Sequence, residues 1–137
     1  MKIIPPIRGF DKWGSGEYGA KRGNRIHKGV DVSAYAGSVV LSDINGTIKR
    51  IGYPYDPTGP KGDFRLLEII AGETLLKYFY VRPLLPVGCE VEKGDAIGVV
   101  QDLTEIYPGI TNHYHFEVLK DGENVDPISW GRAGEPS

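Results

Sequence analysis

The stretch Asn112-His113-Tyr114-His115-Phe116-Glu117-Val118-Leu119 reads as one β-strand, and its period determines what it can do. On a strand, residues i and i+2 leave the same face, so His113 and His115 project into one site. The chain holds 3 histidines. The remaining one lies in Ile26-His27-Lys28-Gly29-Val30-Asp31, an H-x-G-x-D pattern. Imidazole with carboxylate is an ordinary donor set for zinc. Two His and one Asp leave a fourth position for water at ~2.0–2.2 Å, the arrangement of catalytic rather than structural zinc. A lone His is usually a surface or satisfied core residue, and H-x-H alone has many accidental matches. Two compact motifs that use every histidine in the chain are much harder to reach by accident.

Outward from these motifs, the pattern is that of short strands. Residues 1–25 carry few periodic apolar positions and many Gly, Lys and Arg, which predicts an extended segment. Val30, Val32 and Ser38-Val39-Val40-Leu41 predict strands. Asn45-Gly46, within Asp43-Ile44-Asn45-Gly46, is a strong hairpin signal. Thr47 to Tyr53 alternates with period two, as a half-buried strand does. Residues 54–63, with three Pro and two Gly, predict a loop at one end of the sheet. Arg65–Ile70 and Thr74–Val81 predict a strand pair around Ala71-Gly72-Glu73, and Val87–Val100 predicts a compact hairpin turning at Lys93-Gly94-Asp95. Asp126-Pro127 opens a closing turn before Trp130. Short helix is expected only near Leu103 or Ile128, and the last seven residues read as a frayed tail.

The bulk numbers agree with one β-rich domain over residues 1–137, its core at about 14–130. Nineteen Gly and 10 Pro in 137 residues favour tight turns over long helices. A net charge of -2 argues against a polyanion-binding surface, so no nucleic-acid partner is expected. Cys89 is the only cysteine, which excludes an intrachain disulfide and reads as an incidental thiol. No apolar run approaches the ~20 residues that cross a bilayer. The amino terminus lacks the apolar region of a signal peptide, so synthesis in a cytoplasm is expected.

Several segments together resemble the lysostaphin/LytM-type zinc metallopeptidases, which are peptidoglycan endopeptidases. Tyr18-Gly19-Ala20-Lys21-Arg22 followed by His27-Lys28-Gly29-Val30-Asp31 is similar to that family's opening motif. Ala36–Val40 and Asn45–Ile48 resemble its first hairpin, and Val91–Gly98 resembles the hairpin before its second metal motif. Asn112–Val118 and Val125-Asp126-Pro127 match its ending, so the likeness spans about residues 14–130 in order. It implies an antiparallel β sheet curved around a narrow zinc groove, a barrel-sandwich-like arrangement. It also implies one Zn2+ per chain on His27, Asp31 and His115, with His113 as the catalytic histidine.

One departure stands out. The family usually has a second catalytic histidine in a Tyr-x-His-Leu-like segment. Here that segment reads Lys77-Tyr78-Phe79-Tyr80-Val81-Arg82-Pro83-Leu84, and Tyr80 takes the position. This resembles the subgroup of the leukocyte cell-derived chemotaxins, as do Gly16-x-Tyr18-x-Ala20-x-Arg22 and Tyr107-Pro108-Gly109-Ile110. Those secreted proteins keep the zinc site, act as ligands rather than peptidases, and carry disulfides this chain cannot form.

The resemblance implies a zinc endopeptidase in which His113 is general base and Tyr80, neutral at an ordinary pKa of about 10, donates a hydrogen bond to the oxyanion. If residues 78–81 are a strand, Arg82 shares the face of Tyr80. The expected substrate is a stem or crossbridge peptide of peptidoglycan, cut by a monomer outside the cytoplasm. A phage lysis or tail component, or cargo of an injection system, would meet it there. The competing expectation is a non-catalytic zinc-binding recognition module, to which Trp13, Tyr53, Tyr55 and Tyr114 could lend exposed rings, though ordinary packing is the commoner role for such aromatics. A lipoyl- or biotin-carrier domain ranks last, because Asp43–Gly46 has no lysine at its tip.

Overall fold

The structure is a computed structural model that describes residues 16–19, 21–22, 25–26 and 28–133. Frequent Gly and Pro keep its strands short. In chain order they are β1 (Lys21–Arg22), β2 (Arg25–Ile26), β3 (Val30–Ser33), β4 (Val39–Leu41), β5 (Gly46–Gly52), β6 (Leu66–Ala71), β7 (Thr74–Phe79), β8 (Val81–Pro83), β9 (Glu90–Val91), β10 (Ala96–Val100), β11 (His113–Lys120) and β12 (Glu123–Val125). A single described helix, α1 (Pro127–Ala133), follows. It begins with Pro at its first position, where the missing N–H costs nothing. The Asp126 side chain accepts from the backbone N–H of Ile128 at 3.0 Å, capping it. Residues 131–133 therefore belong to helix, whereas a frayed tail is expected there from sequence.

The strands form open antiparallel sheets, as expected. The larger runs β12-β11-β7-β6-β5-β9, with β3 also on β11. One edge of β11 is shared end to end, by β3 opposite His113–Phe116 and by β12 opposite Val118–Lys120. Its other edge pairs with β7 from His115 to Lys120. β1 pairs with β2 in a two-stranded sheet, and the small sheet of the core runs β4-β10-β8. Ile48, Leu67, Ile69, Leu76, Tyr78, Phe116 and Val118 of the large sheet join Val40, Val81, Ile97 and Val100 of the small one in a single buried cluster. Alternation along β11 follows: Phe116 and Val118 enter that cluster, and His113, His115 and Glu117 leave by the opposite face.

Two predicted hairpins are absent. β4 and β5 flank Asn45-Gly46 but lie in different sheets, β4 on β10 and β5 on β6 and β9. The corner is held by side chains instead of a two-residue turn. Tyr78 Oη donates to Asp43 Oδ2 at 2.8 Å and accepts from the Asp43 N–H at 3.1 Å. Asn45 Oδ1 accepts from the Lys93 N–H at 2.7 Å. Likewise β9 and β10 flank the Lys93-Gly94-Asp95 turn, yet β9 pairs with β5 and β10 with β4 and β8. The turn itself exists, closed by Asp95 N–H to Glu92 O at 2.9 Å. Both cases are crossings between sheets, where core burial outweighs local turn propensity.

The strand pair β6/β7 turns at Ala71-Gly72-Glu73 as predicted, but the strand breaks at Tyr80. That residue has φ of 67°, a left-handed conformation uncommon outside Gly, Asn and Asp. Its N–H donates to Arg65 O at 2.8 Å and its carbonyl accepts from the Gln101 N–H at 2.9 Å. Beyond it the chain enters the small sheet as β8, where Arg82 is exposed and paired with Val99. The expectation that Arg82 shares a face with Tyr80 is overturned, because residues 78–82 are not one strand.

Asp43 gives the corner a pH dependence. Burial pushes its carboxyl up to about 6, against the hydrogen bond from Tyr78 and the charge of Lys93, which pull it down. A carboxyl whose folded pKa lies above its unfolded value favours folding in its neutral form. That contribution is complete below about pH 4 and is lost as pH rises through 6. Asp43→Asn keeps an acceptor for Tyr78 without the charge. In urea unfolding it should gain on the wild type between pH 4 and 7, by on the order of 1–3 kcal/mol. Parallel pH profiles for the two proteins would refute this assignment.

Candidate active site

The register of β3 on β11 sets the site. Asp31 lies directly opposite His115, and Ser33 opposite His113. Val30 and Val32 enter the core, so Asp31 between them turns to the other face with the histidines. Asp31 is 2% exposed. Oδ1 is 2.9 Å from His115 Nδ1, and Oδ2 is 3.4 Å from His113 Nε2. The prediction that His113 and His115 share one site, with Asp31 as the carboxylate, describes what the strands bring together. His27 lies outside the described residues. Among the described residues no group of three His, Cys, Asp or Glu forms a ready metal cage.

Each imidazole is oriented by its second nitrogen. His113 Nδ1 donates to the Thr111 carbonyl at 2.8 Å, which turns Nε2 toward the carboxylate. His115 Nε2 donates to Glu117 Oε2 at 2.8 Å, which turns Nδ1 toward the carboxylate. Burial disfavours charge on His115, but the bonds to Asp31 and Glu117 outweigh it and raise its pKa above 6.5. Burial acts on Glu117 in the opposite sense and is likewise outweighed. The His115 contact, with the charge of Lys77 and the Asn124 amide, holds its pKa below the ordinary carboxylate value. Phe79, opposite His115 on β7, meets that ring edge-on with centroids 4.9 Å apart.

Tyr80 enters from the bend between the sheets. Its ring lies 5.9 Å from that of His113, nearly perpendicular to it. Burial raises the pKa of its hydroxyl well above 10, with neighbouring Tyr55 adding to the shift, so the phenol stays neutral. Tyr80 Oη is 2.8 Å from Tyr55 Oη, which is 3.3 Å from Tyr107 Oη. Lys61 Nζ stands over both outer rings, 4.8 Å from Tyr55 and 4.9 Å from Tyr107. The bend is braced by buried Gln101, whose Oε1 accepts from Arg65 N–H and whose Nε2 donates to Asp63 O, both at 2.8 Å.

Sequence reading named Tyr80 and Tyr55 separately but missed Glu117, Lys61 and the chain of hydroxyls that joins Tyr80, Tyr55 and Tyr107. Glu117 had a signal: it stands two residues beyond His115 and so shares its face. Tyr55, Lys61 and Tyr107 come from loops, where no period announces a direction. Of the aromatics expected to offer exposed rings, Tyr53 is exposed beneath Arg65, Tyr114 packs against the core, and Trp13 lies outside the described residues.

The site is thus a buried carboxylate between two oriented imidazoles on one face of an antiparallel sheet. Residues 25–127 match Peptidase family M23, and the chain belongs to that family. It is 36% identical over 124 residues to leukocyte cell-derived chemotaxin-2 of Mus musculus, covering 90% of this chain and 78% of that one. Its fold is similar to that of lysostaphin from Staphylococcus simulans, with a TM-score of 0.68 at 21% identity over 88% of this chain and 49% of that one. It is also similar to a zinc containing peptidase from Vibrio cholerae, with a TM-score of 0.63 at 22% identity over 93% of this chain and 38% of that one.

Gly29 is where the first motif touches the second. A Cβ there would overlap the Phe116 carbonyl oxygen and lie 2.9 Å from Glu117 Cγ and 3.0 Å from His115 Cε1. Backbone cannot yield as a flexible side chain does. Gly29→Ala should therefore cost about 1–3 kcal/mol in chemical unfolding, the range of overpacked sites. A cost below the error of the measurement would show that the contact is dispensable.

Proposed function

We propose that this chain is a zinc-dependent endopeptidase acting on peptides of bacterial peptidoglycan. The observation behind this reading is the pair of imidazoles on β11, each aimed at Asp31 by a hydrogen bond on its far nitrogen. The donor chemistry suits the metal: Asp31 offers carboxylate oxygen, His115 offers Nδ1, and His27 of the H-x-G-x-D motif completes the three ligands. The zinc named for the Vibrio cholerae peptidase of similar fold supports the same choice. Bound there, zinc supplies Lewis acidity toward a carbonyl and toward water.

The chain's own residues do the rest. His113, anchored through Nδ1 to Thr111, takes a proton at Nε2 from the attacking water and returns it to the leaving amine. Tyr80 is a neutral donor. When Tyr107 donates to Tyr55 and Tyr55 to Tyr80, the Tyr80 proton is directed away from this chain of hydroxyls, toward an oxyanion in the groove. A phenol brings no positive charge, so the developing oxyanion gains less than it would from an imidazolium. Peptides with small side chains, rich in Gly or Ala, suit a site bordered by the rings of Phe79, Tyr80, Tyr55 and Tyr107.

A second reading has its own observation. Tyr80 Oη is already engaged at 2.8 Å by Tyr55, a state suited to holding a groove shut or shaping it for recognition. Together with the 36% identity to a chemotaxin, this favours a zinc-binding recognition module. Clearing of purified sacculi by zinc-loaded protein separates the two. For the peptidase, His113→Ala should reduce the rate by about 10²–10⁴-fold, the usual contribution of a general base. Tyr80→His should retain or raise it. Wild type and His113→Ala equally inert across several wall chemotypes would end the peptidase reading.

A further inference from the structure

We infer that Glu117 and Asn124 are positioning residues that join the two metal-bearing motifs and set the affinity of the site for its metal. This rests on the zinc reading above. Asn124, on β12 opposite Leu119, directs its amide Nδ2 to two acceptors, the Lys28 carbonyl at 3.3 Å and Glu117 Oε1 at 3.4 Å. The other Glu117 oxygen, Oε2, accepts from His115 Nε2 at 2.8 Å, and His115 Nδ1 meets Asp31 Oδ1 at 2.9 Å. A continuous path thus runs from the backbone of the first motif to the carboxylate that ends it, passing through β12 and β11. Lys28 is the residue next to His27 in the chain.

The chemistry of the path is directional. An imidazole that binds a metal gives up one lone pair, and the opposite nitrogen must then keep its proton. Glu117 accepts that proton's hydrogen bond, which selects Nδ1 as the ligating atom and strengthens its donor character. Lys77 lies directly across from Glu117 on β7 and holds positive charge beside the carboxylate. Asn124 fixes the other oxygen, so the carboxylate cannot rotate away from His115 without losing two contacts. Because the same amide also holds the Lys28 carbonyl, a displacement of the first motif is felt at the imidazole of the second. Gly29, with no room for a Cβ against Glu117 and His115, keeps these segments in contact.

Competition with a chromophoric chelator, using the full chain and zinc as the only probe, tests this. Wild type should bind about one zinc. Glu117→Ala should weaken binding by about 10–100-fold, as loss of a partner behind a ligating histidine does. Glu117→Gln, which keeps an acceptor for the His115 N–H, should recover most of that loss, and Asn124→Ala should fall between. Unfolding midpoints of the metal-free proteins separate positioning from fold loss. Weaker zinc binding with an unchanged metal-free midpoint supports the inference. If Glu117→Ala fails to fold, Asn124→Ala and Glu117→Gln still decide it. A wild type that binds one zinc, with all three variants within twofold of it, overturns the inference and leaves the metal site standing. A wild type that binds no zinc overturns both.

Discussion

One cross-strand contact underlies the arrangement: Asp31 on β3 against His115 on β11, at 2.9 Å. A buried carboxylate is costly unless its oxygens are met by donors or cations. Here one oxygen meets His115 and the other faces His113. β3 is four residues long and lies off the main path of the large sheet, where it pairs with β11. The register that sends Val30 and Val32 to the core is also the register that puts Asp31 between the histidines. A slip by one residue would bury the carboxylate in the apolar cluster and expose the valines. Sheet geometry and site chemistry are thus satisfied by the same pairing.

Beside these paired strands stands a wall of a different kind. Tyr80 projects from a left-handed bend held by backbone bonds to Arg65 and Gln101, and it meets tyrosines that come from loops. Family M23 membership accounts for the fold, and the matched residues 25–127 include Asp31, His113 and His115. The wall is where this chain departs from the histidine expected there. The contacts of Asp31 with the histidines and the tyrosine wall therefore belong to different parts of the molecule, one built on paired strands and the other on loop aromatics.

What could be read from residues alone follows the same division. The shared face of His113 and His115 was legible because a strand has a period of two, and Asp31 because it ends the H-x-G-x-D pattern. Glu117 obeyed the same rule, but its role depended on which nitrogen of His115 it would meet, which no spacing contains. The absent hairpins show the limit of local signals. Asn45-Gly46 and Lys93-Gly94-Asp95 have good turn chemistry, yet each joins strands of different sheets, because Tyr78 and the core set the direction of the chain. The bend at Tyr80 had no signal, since an aromatic residue does not announce a positive φ.

The place of β11 has a consequence for the order in which the molecule assembles. The partner of His115 lies 84 positions earlier in the chain. β11 also pairs with β3 and β7, both earlier in the chain, so these edges stay unpaired until it arrives. Closing so long a loop is entropically slow, and non-local pairing of this kind lengthens folding times. During synthesis, the first motif emerges long before its imidazole partner exists. The pairing of Asp31 with the two histidines is therefore a late product of folding, and a chain halted before residue 113 would lack both imidazoles that face it.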